Sequence, residues 1–256
     1  MAVLGLMYHD VVAGDRVESG FEGAGADHYK VAVARFERHL DAVAASGREP
    51  FLVTSDDPGS LLFTFDDGGR SAATEIAPRL ERRGWRGHFF VTTERIGTAG
   101  FLAPDEVRAL HEAGHVVGSH GLTHRALTAL GDDEIRREWT ESRAALERLV
   151  EAPVTVASVP TGRYSEVVGL LAAEAGYEHV FTSEPWLEPR RLGSARAYGR
   201  FAIDARTSPE RIGALCSLSR PTLLWIGGGW YVRKAAKAAL GPVYDPLRRR
   251  VLARRL

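Results

Sequence analysis

LLFTFDDGGRSAATEIAPRLERRGW, residues 61–85, begins as an apolar run and stops on two adjacent acids, Asp66 and Asp67. Asp-Gly between apolar runs is a hairpin signal, but a hairpin needs a second strand. The next residues instead set Ile76 and Leu80 four apart among Ala and charged residues, closing at Gly84, which is helical spacing. Strand, acidic turn, helix is the unit of an α/β fold, whose ligands gather beyond the carboxyl ends of the strands. Two neighbouring carboxylates repel, so their placement there calls for a partner that offsets the repulsion.

The same alternation runs outward in both directions. Strand candidates at 3–9, 61–66, 87–92, 115–120, 154–159, 179–183, 198–203 and 222–226 alternate with helical candidates near 31–46, 71–83, 104–113, 132–149, 165–175, 208–218 and 230–240. About eight nearly continuous apolar strands, each followed by a helix, predict a single α/β domain over residues 1–256, a (β/α) barrel of about seven to eight parallel strands. The long connection is DVVAGDRVESGFEGAGADHYK, residues 10–30, which in a barrel overhangs the mouth. Gly227–Gly229 lacks the Lys-Ser/Thr of a phosphate loop and reads as a turn.

Lys plus Arg and Asp plus Glu both total 33 in the 256-residue chain, so no global charge favours nucleic acid as a partner. One cysteine, Cys216, excludes an internal disulfide and reads as core filler in IGALCSLS. The first residues lack a signal-peptide pattern and no window has the length of a membrane span, so the expectation is a soluble cytoplasmic protein without a transmembrane segment. The basic tail PLRRRVLARRL reads as a solvated helix face, with membrane-surface contact as the weaker alternative.

Five polar residues fall at strand ends: His9, Asp66, Asp67, His120 and His124. His120 and His124, four apart in HVVGSHGLTH, can aim two imidazoles at one point, and two His with a carboxylate form a recognised divalent-metal set. His111 and His115 share that spacing but precede the strand, at its amino end, and are set aside. One of the paired acids can then bind the cation while the other takes a proton from attacking water.

In order and spacing, TFDDG (64–68), SHGLTH (119–124) and SVPTGRY (158–164) resemble the first three motifs of the NodB-homology polysaccharide deacetylases, carbohydrate esterase family 4, over roughly residues 60–186. The resemblance implies a distorted (β/α) barrel and removal of acetyl groups from N-acetylated amino sugars. It implies one divalent metal ion, zinc first, with cobalt, nickel or manganese as alternatives. By it Asp66 matches the general base and Asp67, His120 and His124 the metal ligands, with Pro160, Gly162, Tyr164 and Trp186 toward substrate. Tyr164, Trp186 and Tyr8 are aromatic candidates for stacking on a sugar or an acetyl methyl, against core packing as the plainer role.

Three positions depart from the family pattern. Gly121 follows the first motif histidine where Ser or Thr is usual, and Ser158 stands where an arginine holds the catalytic Asp, leaving Arg163 or Arg200 to orient it. The usual C-terminal Leu-x-His is absent from TLLWIGGGW. His9, ending the apolar run LMYH, is similar to the N-terminal histidine that a subgroup of the family uses as acid, since first and last strands of a barrel are neighbours. The leading reading is a metal-dependent N-deacetylase of a saccharide, glycolipid precursor or secondary metabolite. A hydrolase of non-sugar amides or cyclic imides, and a non-catalytic carbohydrate-binding homologue, are the alternatives.

Overall fold

The computed structural model describes residues 2–55 and 59–240. The basic tail at 246–256 lies outside the described residues. β1 (Leu4–Tyr8), β4 (Leu61–Phe65), β5 (His88–Val91), β6 (Val116–Ser119), β7 (Val156–Ser158) and β8 (His179–Phe181) lie side by side in one parallel sheet. β10 (Ala195–Tyr198) pairs in parallel with β8, and β11 (Phe201–Ala202) in parallel with β1, at the other end of the sheet. Short β2 (Val11–Val12) and β3 (Val31–Ala32) form a separate pair that brackets the 10–30 connection, within which α1 (Ala24–Asp27) makes a single turn. With β9 (Arg190–Leu192) as its antiparallel edge, the sheet has nine strands in the order β11-β1-β4-β5-β6-β7-β8-β10-β9.

The sheet curls toward a barrel and its two ends are joined across a seam. Gly199 and Arg200 lead directly from β10 into β11, and Val3 N–H donates to Leu187 O at 2.7 Å. Side chains alternate across each strand. Leu4, Leu6, Tyr8, Phe63, Phe65 and Phe89 face outward into a buried layer under α2 (Val33–Ala45), α3 (Ala77–Glu81), α4 (Pro104–Glu112), α5 (Asp132–Val150) and α6 (Glu166–Glu174). Val3, Leu62, Phe90, Val156, Phe181 and Tyr198 face inward as a second, smaller cluster. Continuing the inward period by two residues at a time, Leu62 leads to Thr64 and Asp66, and Val156 to Ser158. The upper interior is therefore polar and the lower interior apolar.

Six of the eight strand candidates are each observed as one strand; two segments behave differently. YGRFAI, read as one strand, breaks at Gly199–Arg200 because the chain there crosses the seam: a Cβ on Gly199 would lie 2.4 Å from Trp186 O. TLLWI, read as a strand, and Gly227–Gly229, read as a turn, lie inside α8 (Arg220–Leu240). With β11 already on β1, the sheet edge expected for that strand is filled. Pro221 near the helix start and the stretch RKAAKAAL, rich in strong helix formers, carry the helix through the glycines. Among the described residues no helix is long and apolar enough to cross a membrane. Cys216 is buried in α7 (Pro209–Cys216), as its setting predicts.

Candidate active site

β4 ends at Phe65, and the next two residues part company. Asp66 keeps the inward direction of the strand, whereas Asp67 adopts φ 78° and Gly68 φ 79°. Positive φ is uncommon for a non-glycine residue and marks a backbone held by its surroundings. At Gly68 a Cβ would press on Val91 Cγ1 at 2.9 Å, so glycine is needed both for its φ and for its space. The turn sends the two carboxylates to different partners.

Asp67 meets the histidines. Its Oδ1 lies 3.3 Å from His120 Nε2 and 3.2 Å from His124 Nε2, and the three ligand-type atoms fall within 4.8 Å of one another. His120 follows β6 directly, and His124 is set by φ 62° at the end of the loop 121–124. Asp67 and His120 are buried and the His124 side chain is 23% exposed. His120 Nδ1 lies 3.1 Å from Ser158 O, a carbonyl that can only accept, so Nδ1 carries the hydrogen. In the neutral ring the Nε2 lone pair then faces the Asp67 carboxylate, two electron-rich groups that only a cation or a proton reconciles. One carboxylate and two imidazoles fit a borderline divalent ion such as zinc, with His120 oriented through its other nitrogen. Burial pushes the Asp67 carboxyl up, but the bonds to His120 and His124 and the His9 charge prevail and hold it well below the usual carboxylate range. Burial likewise lowers the His124 imidazole, and its bond to Asp67 reverses that and raises it.

Asp66 meets an arginine. Arg200 Nη1 donates to Asp66 Oδ1 at 2.7 Å and Nη2 to Oδ2 at 2.9 Å, a bidentate pair with both residues buried. Nη2 also donates to Ser158 Oγ at 2.7 Å, Nη1 to Thr64 Oγ1 at 3.2 Å and Nε to Thr182 O at 2.9 Å. The guanidinium lies 5.6 Å from the Phe90 ring centroid and 5.7 Å from that of Phe181. Burial raises the Asp66 carboxyl, yet the Arg200 charge, followed by His120, keeps it below its ordinary value. Of the two arginines expected to orient Asp66, the structure gives the contact to Arg200; Arg163 is half-buried in the 159–165 connection. Room for the Arg200 stem comes from Gly5, where a Cβ would fall 2.9 Å from Arg200 Cγ and 2.8 Å from Gly199 O.

His9 continues the inward period of β1 and adds its charge to the fields on both Asp66 and Asp67. Its Nδ1 is buried without a hydrogen-bond partner among the described residues, and Tyr29 stacks on the ring at 4.7 Å. Pro160 is buried beside the histidine loop, 3.6 Å from where a Gly121 Cβ would stand, and Gly162 turns the chain at φ 64°. Tyr164 and Trp186 meet edge to face at 6.3 Å. Trp186 lines a cavity of about 380 Å³ with Pro185, Pro189, Phe201 and Leu223, and Arg190 lies 3.9 Å over its ring. Asp67, His120 and His124 are not among the residues lining that cavity. Tyr8 points outward, packed on Phe36 and Phe65 with no exposed surface, which corrects the expectation that it stacks on a sugar.

Two groups escaped the sequence reading. Glu138, on the buried face of α5, accepts from Leu122 N at 2.8 Å, Thr123 N at 3.0 Å and the Thr123 hydroxyl, fixing the loop that carries His124. Its signal was an acid between Ile135 and Trp139, in the apolar stripe of an amphipathic helix. The other is the pair of rings supplied by the 10–30 connection. Phe21 stacks on His124 at 4.5 Å, as Tyr29 does on His9.

A family model described as polysaccharide deacetylase matches residues 54–180, a span that contains both acids and both histidines. Over that span, just under half of the chain, the sequence matches the polysaccharide deacetylase family. It is 24% identical over 220 residues to YxkH of Bacillus subtilis, covering 82% of this chain and 72% of that protein. It is 32% identical over 133 residues to the chitooligosaccharide deacetylase of Sinorhizobium fredii, 51% of this chain and 59% of that enzyme. The structure of a polysaccharide deacetylase from Bacillus cereus superposes with a TM-score of 0.71 at 20% identity, over 84% of this chain and 69% of that one, and shows the shared fold.

Proposed function

We propose that this chain is a metal-dependent hydrolase that removes the N-acetyl group from an amino sugar, giving a free amine and acetate. The observation that carries this reading is the division of the two acids: Asp67 faces two imidazole Nε2 atoms at 3.3 and 3.2 Å, while Asp66 stands beside them, clamped by Arg200. Asp67, His120 and His124 would hold a divalent ion, zinc first; when bound, it supplies the Lewis acidity that polarises the amide carbonyl. Asp66 accepts the proton of the attacking water. Its low pKa keeps it ionised at neutral pH, and Arg200 holds both oxygens in one orientation. His9, whose charge reaches both acids, delivers a proton to the departing nitrogen as the C–N bond breaks.

Ser158, in place of the arginine that the family sets there, favours the alternative of a non-catalytic binding protein. Arg200 answers that objection, since it brings a guanidinium from the β10–β11 crossing to within 2.7 Å of both Asp66 and Ser158 Oγ. The test is acetate release from N-acetylglucosamine oligosaccharides by metal-loaded protein. The wild type releases acetate and loses activity on chelation, and Asp66→Asn retains the metal while its rate falls by about a thousandfold or more. Saccharide binding with no acetate release from either wild type or Asp66→Asn would leave a carbohydrate-binding protein. Turnover of cyclic imides without acetate release would move the substrate to the amide class.

A further inference from the structure

We infer that the 10–30 connection roofs the site and limits it to the terminal residue of a short N-acetylated saccharide, with Phe21 and Tyr29 as the residues that set the limit. The inference rests on the deacetylase reading and names its substrate class. His124 touches Asp67 at 3.2 Å, and His9 follows Tyr8, the residue paired in register with Phe65 just before the two acids. Each histidine carries an aromatic ring from the same connection. Phe21 lies over His124 at 4.5 Å and 26°, and Tyr29 over His9 at 4.7 Å and 28°.

The roof is fastened at several points. Ser19 Oγ donates to the buried Asp10 carboxylate at 2.5 Å, and Ser71 Oγ donates to the same oxygen at 2.8 Å. Ser71 N–H in turn donates to Ser19 Oγ at 2.8 Å, tying the roof to the segment just after the two acids. Gly20 N–H donates to Gly100 O at 2.7 Å. Packing at this knot is close enough that a Cβ on Gly20 or on Gly69 would fall 2.0 Å from an Asp10 oxygen. Phe21 is held from the far side by Phe101, edge to face at 5.0 Å, and by the Arg95 guanidinium 5.3 Å from its centroid. Farther along, Arg16 Nη1 donates to Asp27 O at 2.7 Å, and the Lys30 ammonium reaches Arg16 O.

Phe21 stands against the part-exposed His124 ring and Tyr29 against His9, so a saccharide that brings an acetamido group to Asp66 and Asp67 passes beside these rings. An internal residue of a polymer carries a glycosidic neighbour on each side, so its chain must pass out over both rings. A terminal residue has one neighbour and needs one exit. Displacing stacked, bonded aromatics slows the internal reaction by about tenfold or more.

The test uses chitopentaose labelled at its reducing end, with mass-spectrometric mapping of the deacetylated position, beside a long N-acetylglucosamine polymer. Wild type is expected to deacetylate a terminal residue and to act on the polymer only at its ends. Phe21→Ala and the milder Phe21→Leu, each checked for folding by thermal unfolding, spread deacetylation to internal residues, and Tyr29→Ala does so from the other side. Internal and terminal residues deacetylated at equal rates by wild type would overturn the roof. Positional patterns unchanged in all three folded variants would equally remove Phe21 and Tyr29 from the role. Absence of acetate release from every saccharide, monomer to polymer, would instead bring down the deacetylase reading itself.

Discussion

β6 has a pair of histidines four residues apart on each side of it, and the two pairs do opposite things. Past its carboxyl end, His120 and His124 converge on Asp67. Before its amino end, His115 is buried as a structural joint: Gly87 N–H donates to its Nδ1 at 3.1 Å, which puts the hydrogen on Nε2, and Nε2 donates to Glu81 Oε1 at 3.1 Å. Its companion His111 sits in the last turn of α4. Spacing cannot tell the pairs apart; strand direction can. In a parallel sheet the carboxyl ends deliver their loops to one face, so the acids after β4 lie where the histidines after β6 arrive. At the other face the same residue type meets backbone N–H groups and a helix carboxylate.

The largest effect separates these pairs directly. His120→Ala removes one of the three proposed ligands and is expected to weaken divalent-metal binding by at least ~100-fold and to abolish acetate release. His115→Ala leaves metal binding unchanged and costs about 1–3 kcal/mol of folding stability, because Gly87 N–H and the Glu81 carboxylate lose a buried partner. Chelator-competition titration and urea unfolding read the two quantities. Metal loss in the His115 variant with metal retained in the His120 variant would reverse the assignment of the two ends.

A second contrast lies within the carboxyl end, between the site's local half and its assembled half. Asp66, Asp67, His120 and His124 each stand at or just beyond the end of an apolar strand, so local pattern was enough to find them. Arg200 reaches Asp66 across 134 residues of sequence, from a crossing between two short strands. Long-range pairing of that kind leaves no local trace, and two arginines fitted equally well before the fold was known. The eighth strand failed for a related reason. Apolar TLLWI carries strand propensity, and whether a sheet edge remains open to receive it depends on β11, which is formed about twenty residues earlier. By length and position the 10–30 connection reads as an overhang of the mouth, but not as the carrier of Phe21 and Tyr29.

Arg200→Ala leaves the Asp66 carboxylate buried without its counter-charge. Expected costs are about 3–5 kcal/mol of stability and a fall in kcat, since Asp66 loses its fixed orientation. Ser158 Oγ is 2.7 Å from Arg200 Nη2 and 3.3 Å from Asp66, so a guanidinium from position 158 enters the same space. Adding Ser158→Arg to Arg200→Ala should therefore recover part of both losses in urea unfolding and acetate assays. A double variant no better than Arg200→Ala would show that the two positions are not interchangeable sources of the cation.

The smallest effect concerns the amino end of the neighbouring strand, where His88 opens β5 facing the apolar lower interior. Val53 N–H donates to its Nε2 at 3.1 Å, which leaves the hydrogen on Nδ1 to donate to Phe63 O at 3.0 Å. The ring is thus satisfied only when neutral, because a proton on Nε2 would face the Val53 N–H. Burial, outweighing the bond to Phe63 and helped by the His179 and Arg200 charges, lowers its pKa to about 4. The unfolded chain takes up this proton near the ordinary value of about 6.5, and the native state does not. Stability from His88 is therefore complete above pH ~6.5 and declines as pH falls toward ~4, by about 3 kcal/mol at the limit. His88→Gln removes the titrating group, so the gap between wild-type and variant unfolding free energies should narrow or reverse between pH 7 and pH 4.5. Parallel curves over that range would mean that His88 accepts the proton in the folded state. The contrast would then soften, because a buried histidine at the amino end would tolerate charge as His124 does beside Asp67.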